Sequence, residues 1–259
     1  MYLDKITKYK QEELDHIRRR VSQKDVEFKA RDAEPPRPFF QAVINPKVPI
    51  RVIAEVKKAS PSAGVIRPDF DPVQIAHEYE EHGAVALSVL TDEHFFQGHL
   101  ENMQKIKTYV RLPVLRKDFT LHQYHLYEAR GAGADAVLLI ARILEPSQIK
   151  DYLALAAELG MTALVEVHEA KELEKLPEGR VPLLGINNRN LDTFKTDLTT
   201  TELLARLAPP GVPLVTESGI HTRADIEKLL KVPVQAFLIG ESLLKKKLPG
   251  EALKMLLDR

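Results

Sequence analysis

Polar and charged residues end several short apolar segments of this sequence, and their side chains could transfer protons. Each segment is rich in valine, leucine and isoleucine before it ends. The residues at these ends are Glu55 with Lys57, Lys117, Glu166, Asn187, and Glu217 with Ser218. Two lysines and three glutamates that converge could form ion pairs, and they could also act as general acids and bases. We therefore expect a catalytic cluster built from segment ends.

The spacing of Glu55 and Lys57 supports this interpretation. Residues two apart in a β-strand point to the same face, while Val56 between them points to the other. A solvated rim of charges is the alternative for any one of these residues taken alone. A solvated rim explains the whole set less well, because polar or charged residues end one segment after another.

Eight apolar segments alternate with longer amphipathic stretches from residue 50 onward, and they must position these side chains. The segments end at residues 57, 90, 117, 140, 166, 187, 217 and 240. One strand plus one helix fits each interval, which predicts parallel strands joined by crossover helices. The predicted fold is α/β, a (β/α)8 TIM barrel whose active site lies at the carboxyl ends of the strands. A doubly wound open sheet is the alternative, but the GxGxxG loop that usually follows its first strand is missing from this sequence.

The first 48 residues have a different pattern. Residues 3–32 show the apolar spacing of an amphipathic helix, which Pro35 and Pro36 end because proline cannot continue it. Residues 39–44 predict a second short helix. We expect residues 1–48 to form an N-terminal helical extension packed on the barrel, and residues 49–259 to form the catalytic barrel.

Two glycines indicate a phosphate site. Gly219 follows the seventh segment and Gly240 ends the eighth, and in these barrels the loops after strands seven and eight commonly bind phosphate. Glycine lets backbone N–H groups approach an anion closely. We expect Glu241 to contribute its N–H group while its side chain points away. The alternative is that both glycines only form tight turns.

Composition excludes several classes of protein. The 37 basic and 37 acidic residues cancel, which argues against a nucleic-acid partner, and the absence of cysteine excludes disulfides and thiolate chemistry. Histidines are scattered through exposed-looking helices and loops, His168 and His125 among them, and no metal-ligand spacing appears. No apolar segment approaches the roughly 20 residues that span a bilayer, and no signal peptide is visible. We expect a cytoplasmic protein with no membrane partner.

Several of these segment ends resemble one known family. Residues 53–62 (IAEVKKASPS) are similar to the first-strand signature of the indole-3-glycerol-phosphate synthase family. Further similar segments follow in order along the chain: 88–92 (SVLTD), 113–119 (PVLRKDF), 164–168 (LVEVH), 185–191 (GINNRNL), 217–220 (ESGI) and 240–243 (GESL). Residues 37–39 (RPF) and the N-terminal helix also resemble this family, so the resemblance covers about residues 3–257.

The resemblance implies a carbon–carbon lyase of tryptophan biosynthesis that needs no cofactor and no metal. Such an enzyme converts 1-(2-carboxyphenylamino)-1-deoxyribulose 5-phosphate to indole-3-glycerol phosphate, with ring closure, decarboxylation and dehydration. Its partner is this small phosphorylated substrate, and the chain is expected to be a monomer or a weak homo-oligomer.

The resemblance also assigns roles to residues. By similarity, Lys117 is the general acid and Glu166 the general base. The remaining catalytic positions are Lys57, Glu55, Asn187, Glu217 and Ser218. The phosphate-binding positions are Ser60, Gly219, Gly240 and Glu241 through its backbone, with Arg189 in support. A lysine near other cations can have a lowered pKa, which would let Lys117 deliver a proton near neutral pH.

Three phenylalanines could form apolar walls for the anthranilate ring. These are Phe95, Phe96 and Phe119, and ordinary packing is the alternative for each. Gln97 and His99 replace smaller residues that are usual in the family, in a loop that could close over the substrate. Two other functions stay open from the residues alone: a different phosphate-binding barrel enzyme, such as a sugar-phosphate isomerase or aldolase, and a barrel that only binds.

Overall fold

The computed structural model describes residues 2–257, and its centre is a closed barrel of eight parallel strands. The strands are β1 (Val52–Val56), β2 (Ala86–Leu90), β3 (Val114–Lys117), β4 (Ala136–Ile140), β5 (Thr162–Val167), β6 (Leu183–Asn187), β7 (Leu214–Glu217) and β8 (Val234–Ile239). Each strand pairs with its neighbour in the chain, and β1 pairs with β8 to close the barrel. The predicted (β/α)8 fold is confirmed.

Alternation of side chains along each strand builds two apolar layers. In β1, Ile53 points into the barrel interior, while Val52 and Ala54 belong to the layer between strands and helices. The interior layer also contains Leu115, Leu164 and other apolar side chains, so the barrel is a packed core rather than a pore. Inward-facing and outward-facing positions of each strand both need apolar residues, because both faces of a parallel sheet are covered.

Helices surround the strands and connect them. The longer ones are Pro72–Glu81, Leu100–Tyr109, Gln123–Gly131, Pro146–Glu158, Thr199–Leu207, Arg223–Leu229 and Pro249–Leu257. Short ones lie in the loops at the carboxyl ends of the strands: Glu93–Phe96, the 3-10 helix Ala141–Ile143, Ala170–Leu173 and Glu241–Leu244. After β1, a small hairpin of Ala59–Ser60 and Gly64–Val65 covers the same end.

The N-terminal extension contains three helices, α1 (Tyr2–Arg20), α2 (Gln23–Asp32) and α3 (Phe39–Ile44). The single helix predicted over residues 3–32 is therefore wrong at one point, because the helix breaks before Ser22. Ser22 caps α2 in a reciprocal capping box: its hydroxyl accepts from the Asp25 N–H, and the Asp25 carboxylate accepts from the Ser22 N–H. The cap pairs the Asp25 N–H, one of the first backbone N–H groups of α2, which have no partner within the helix.

The extension packs closely against the barrel. Arg37 donates hydrogen bonds to the carbonyls of Val110, Leu112 and Lys107, and its N–H group donates to Asp135. Helix α3 packs against β8 and β2, and α1 reaches the carboxyl ends of the strands. The division of the chain at residue 48 stays a prediction.

Candidate active site

The inward-facing rows of the barrel continue directly into the polar residues. Along β1, the row that contains Ile53 continues with Glu55 and Lys57, and along β5 the row of Leu164 continues with Glu166. In the same way, Leu115 leads to Lys117, Leu183 to Asn187, Val215 to Glu217 and Leu238 to Gly240. Because the side-chain period of a strand is two, apolar residues inside the barrel place these polar residues around its mouth.

All of the predicted site residues except Phe95 line one cavity at this mouth. Its floor is made by the strand ends, and one wall is helix α1, which contributes Tyr2, Leu3 and Ile6. The sequence predicted that the apolar stripe of this helix would cover the barrel, but it did not indicate that α1 would line the site. Phe194 and Leu191, from the loop after β6, were also missed.

Lys117 lies between two buried carboxylates. Its Nζ is 2.6 Å from Oε2 of Glu166 and 3.3 Å from Oε2 of Glu217. Burial alone would lower the pKa of Lys117, but nearby carboxylates, Glu166 first among them, outweigh burial and hold the pKa above its ordinary value. The expectation of a lowered pKa is wrong because carboxylates, rather than cations, surround this lysine. Lys117 is therefore an ammonium ion at neutral pH.

The two carboxylates beside Lys117 have opposite proton affinities. Burial would raise the pKa of Glu166, but Lys117 and His168 outweigh it and lower the pKa below its ordinary range. Burial raises the pKa of Glu217. Lys117 lowers that pKa and the nearby Glu166 raises it, and the resulting pKa is about 8. At neutral pH, Glu166 is thus a carboxylate and Glu217 largely holds its proton. Neighbouring carboxyl groups with separated pKa values are typical of acid–base sites.

A second ion pair, between Lys57 and Glu55, lies across the same cavity. Two glycines leave space for the carboxylates. A Cβ atom at Gly240 would collide with the Glu55 side chain, and one at Gly185 would collide with Oε1 of Glu217. Gly185 had no assigned role in the sequence, and Gly240 was expected only to expose its backbone.

The loops after β7 and β8 meet on the side of the cavity where the phosphate was predicted. Ser218 and Gly219 both have left-handed backbones, with φ of 66° and 78°. The Ser242 hydroxyl donates to the carbonyl of Ile220 at 2.8 Å and ties the two loops together. Asn188, whose role the sequence also did not reveal, donates to the carbonyls of Glu217 and Ser218 and fixes the same turn.

Glu241 does not carry an unbalanced charge into this region. Its carboxylate is 2.9 Å from Nη2 of Arg189 and 2.6 Å from Nζ of Lys245. Burial raises the pKa of Glu241, and these two cations outweigh burial, so the pKa lies below its ordinary value. The carboxylate is therefore neutralised by its partners, which leaves the backbone of residues 240–242 as the part of this loop suited to an anion.

The three phenylalanines have different positions. Phe96 and Phe119 line the cavity, with ring centroids 6.2 Å apart. Phe95 does not line it: its ring packs edge-on against Tyr2 at 6.0 Å and Tyr9 at 5.6 Å. Phe95 therefore joins the loop after β2 to helix α1, and the prediction that it forms a wall of the cavity is not supported.

The side chains of two histidines that the sequence placed in exposed segments are buried. The side chain of His168 is 5% exposed and lies 3.2 Å from Glu166, and His125 is buried beside Arg116. Within residues 2–257, no group of three or more histidine, aspartate or glutamate side chains could hold a metal ion. No helix in that range is long and apolar enough to cross a membrane.

Comparison with known proteins gives one consistent family. The family model described as indole-3-glycerol phosphate synthase matches residues 3–256. A protein named indole-3-glycerol phosphate synthase from Trichodesmium erythraeum (strain IMS101) is 47% identical and covers 99% of this chain and 88% of its own length. One of the same name from Desulfotalea psychrophila (strain LSv54 / DSM 12343) is 46% identical, over 97% of this chain and 96% of its own.

Solved structures with similar folds are more distant in sequence. A mutant tryptophan synthase alpha-subunit from Pyrococcus furiosus has a TM-score of 0.61 at 14% identity, covering 81% of this chain and 98% of its own. The N-acetylmannosamine-6-phosphate 2-epimerase from Clostridium perfringens has a TM-score of 0.60, also at 14% identity, over 80% of this chain and 90% of its own. These similarities show the barrel fold alone.

Proposed function

Because the chain belongs to the indole-3-glycerol phosphate synthase family, and is thus a carboxy-lyase of tryptophan biosynthesis, we propose that the cavity at the barrel mouth is its active site. The reaction closes a ring, releases carbon dioxide and then releases water, so the site must both donate and accept protons. The observation that carries the proposal is the Lys117–Glu166–Glu217 cluster at the floor of this cavity.

Lys117 acts as the general acid for ring closure. The substrate ketone needs a proton on its oxygen as the anthranilate ring carbon attacks, and an ammonium ion can supply it. The carboxylates that hold the pKa of Lys117 high guarantee that the proton is present. They also accept the ammonium hydrogen bonds while the cavity is empty, which keeps Nζ at the floor where the ketone would lie.

Glu166 acts as the general base. Its lowered pKa keeps it ionised, so that it can remove the proton that is lost during dehydration. Glu217 holds a proton at neutral pH and is placed to share it with the departing hydroxyl group. Asn187 and Ser218 complete the polar floor of the cavity.

The two ends of the substrate would bind on opposite sides of this cluster. The phosphate lies against the backbone of Gly219, Gly240 and Glu241, with Ser60 and Arg189 in support. Lys57, held by Glu55, binds an anionic group of the substrate, while Phe96 and Phe119 pack against the anthranilate ring. This arrangement orients the ring carbon toward the ketone. We also propose a cytoplasmic monomer or weak homo-oligomer, with no nucleic-acid partner.

Turnover of the carboxyphenylamino substrate, followed by the rise in indole fluorescence, tests the proposal. We expect Lys117→Met to lower kcat by about 10²- to 10⁴-fold, which is the usual contribution of a positioned acid or base. Lys105→Met, which removes an exposed lysine, is the matched control and should keep full activity. Ordinary turnover by folded Lys117→Met would refute the role of Lys117.

A Schiff-base aldolase, one of the alternatives left open by the residues, has a separate test. A lysine must be neutral to attack a carbonyl, whereas the carboxylates hold Lys117 as an ammonium ion. Borohydride added with a phosphorylated ketose should therefore leave the mass of the protein unchanged. A covalent adduct at Lys117 would contradict the general-acid role.

A further inference from the structure

His168 lies on the side of Glu166 that faces away from Lys117. It follows Glu166 by two residues and stands directly after Val167, the last residue of β5. His168 Nε2 is 3.2 Å from Oε1 of Glu166, while Lys117 Nζ is 2.6 Å from Oε2. Each oxygen of the Glu166 carboxylate therefore has its own cationic neighbour.

Glu172 fixes His168 from behind. It is on the short helix Ala170–Leu173, it is 1% exposed, and its Oε2 accepts a hydrogen bond of 2.7 Å from the His168 backbone N–H. The same oxygen is 3.4 Å from Nδ1 of the His168 ring. A carboxylate this deeply buried needs compensation, and the adjacent His168 ring contributes to it.

The charges around His168 come from several elements. Glu166 belongs to β5, which ends just before His168, and Glu172 belongs to the following helix. Lys117 from β3 lies beyond Glu166, and Arg142, from the 3-10 helix after β4, interacts electrostatically with Glu172. Burial would lower the pKa of His168, but the two carboxylates outweigh burial and raise the pKa to about 9. The ring is therefore an imidazolium ion at neutral pH.

We propose that His168 is a positioning residue for Glu166 and that Glu172 holds the His168 ring in place. The inference rests on the general-base role proposed above for Glu166. When Lys117 turns toward the substrate ketone, Oε2 of Glu166 loses its partner, while the His168 ring, whose nitrogens make no hydrogen bond among residues 2–257, still attracts Oε1 by its charge. The carboxylate keeps its orientation, and Oε2 is the oxygen left free to accept a proton from the substrate.

A purely structural histidine gives different expectations. Its removal would lower the stability of the protein and the amount of active enzyme, but it would leave kcat per folded molecule and the pH profile unchanged. A positioning role predicts a specific kinetic change, because a carboxylate that loses its cation binds a proton more readily and adopts more than one orientation.

The test compares His168→Gln, Glu172→Gln and the control His125→Gln, which also removes a buried imidazole but one that does not contact Glu166. For His168→Gln we expect kcat to fall by about tenfold to a hundredfold, part of the contribution of a general base, with KM changed by less than about twofold. The acidic limb of kcat/KM should move upward by at least about one pH unit. His125→Gln should change neither quantity.

A second measurement does not depend on catalysis. Nitrogen NMR of the whole protein, with the imidazoles labelled, should show His168 titrating near pH 9 in the wild type, and at least about one pH unit lower in Glu172→Gln. A wild-type imidazole that is neutral at pH 7 would overturn the proposal. So would an unchanged kcat and pH limb in folded His168→Gln.

The proposed function and this inference fail in different ways. If Glu166→Gln keeps ordinary turnover, Glu166 is not the general base and the role of His168 in catalysis falls with it. If Glu166→Gln loses activity while His168→Gln does not, the base is correctly assigned and only the positioning role of His168 is refuted.

Discussion

Lys10 joins helix α1 to the mouth of the barrel through buried charges, and its replacement gives a sharp prediction. The side chain is 4% exposed, and its Nζ lies 3.1 Å from Asp118 Oδ1 and 3.6 Å from Asp92 Oδ2. Asp118 follows Lys117 directly and also pairs with Arg116. Within the part of the chain that the structure describes, Lys10 is the only cation within 4 Å of Asp92.

The cost of Lys10→Met follows from what Asp92 loses. Its Oδ1 still accepts from the N–H groups of Phe95 and Phe96, but its buried Oδ2 has no hydrogen-bond partner among residues 2–257. An uncompensated buried charge costs about 3–5 kcal/mol. Asp92 can instead take up a proton. Protonation of an aspartate with an ordinary pKa of about 3.9 costs about 1.4 kcal/mol for each pH unit above that pKa, which gives about 4 kcal/mol at pH 7.

The pH dependence has a definite sign. Burial and the neighbouring Asp118 already raise the pKa of Asp92, and Lys10 opposes this rise. Without Lys10 the folded-state pKa rises further above the unfolded value, so stability is lost as pH rises. Because the variant no longer buries an ammonium ion, we expect a loss of about 3 kcal/mol at pH 7, or about 10 °C in Tm, and about 1–2 kcal/mol at pH 5.

Thermal unfolding at pH 5 and pH 7 measures this prediction. Lys8→Met is the matched control on the same helix, since Lys8 is 80% exposed and should change stability by less than about 0.5 kcal/mol. Lys10→Met combined with Asp92→Asn should recover at least half of the loss at pH 7. An equal loss at both pH values, or no recovery in the double variant, would refute the reasoning.

Two further predictions concern the carboxylates of the site. Gly185→Ala should lower kcat by at least about tenfold in steady-state kinetics, because the new methyl group must displace the Glu217 side chain. The control is Gly211→Ala, where a Cβ atom meets no other atom within 4 Å, although the positive φ of Gly211 adds some backbone strain. When pH rises from 5 to 8, the Tm of Glu217→Gln should fall less than the Tm of the wild type. The reason is that the pKa of Glu217 is raised to about 8, so the wild-type protein loses stability as pH rises through that range. Parallel Tm curves for the two proteins would contradict this assignment.

The periodicity of the sequence was enough to predict the barrel. Eight apolar segments at intervals of one strand plus one helix are compatible with few other folds. Alternate residues along each strand then face inward. For this reason the sequence alone assigns Glu55, Lys57, Lys117 and Glu166 to one mouth of the barrel. Local signals worked less well at residues 20–22, where a serine cap divides a helix that apolar spacing alone would continue.

Most of the residues that line the cavity were predicted from the sequence, but their contacts were not. Phe95 is adjacent to Phe96 in sequence, yet it packs on helix α1 instead of lining the cavity, because consecutive residues of a short helix point in different directions. The burial of His168 was also missed, since nothing in residues 166–168 shows that Glu172 will fold back over the imidazole.

The sequence by itself determined the order of strands and helices, and which residue types meet at the barrel mouth. The tertiary structure alone decided their charge states. The ammonium form of Lys117 depends chiefly on the Glu166 carboxylate, which is 49 residues away in the chain, and the pairing of Lys10 with Asp118 spans more than a hundred. Periodicity is a local property that the sequence displays directly, whereas a pKa depends on burial and on charges within a few ångströms, which only the folded chain brings together.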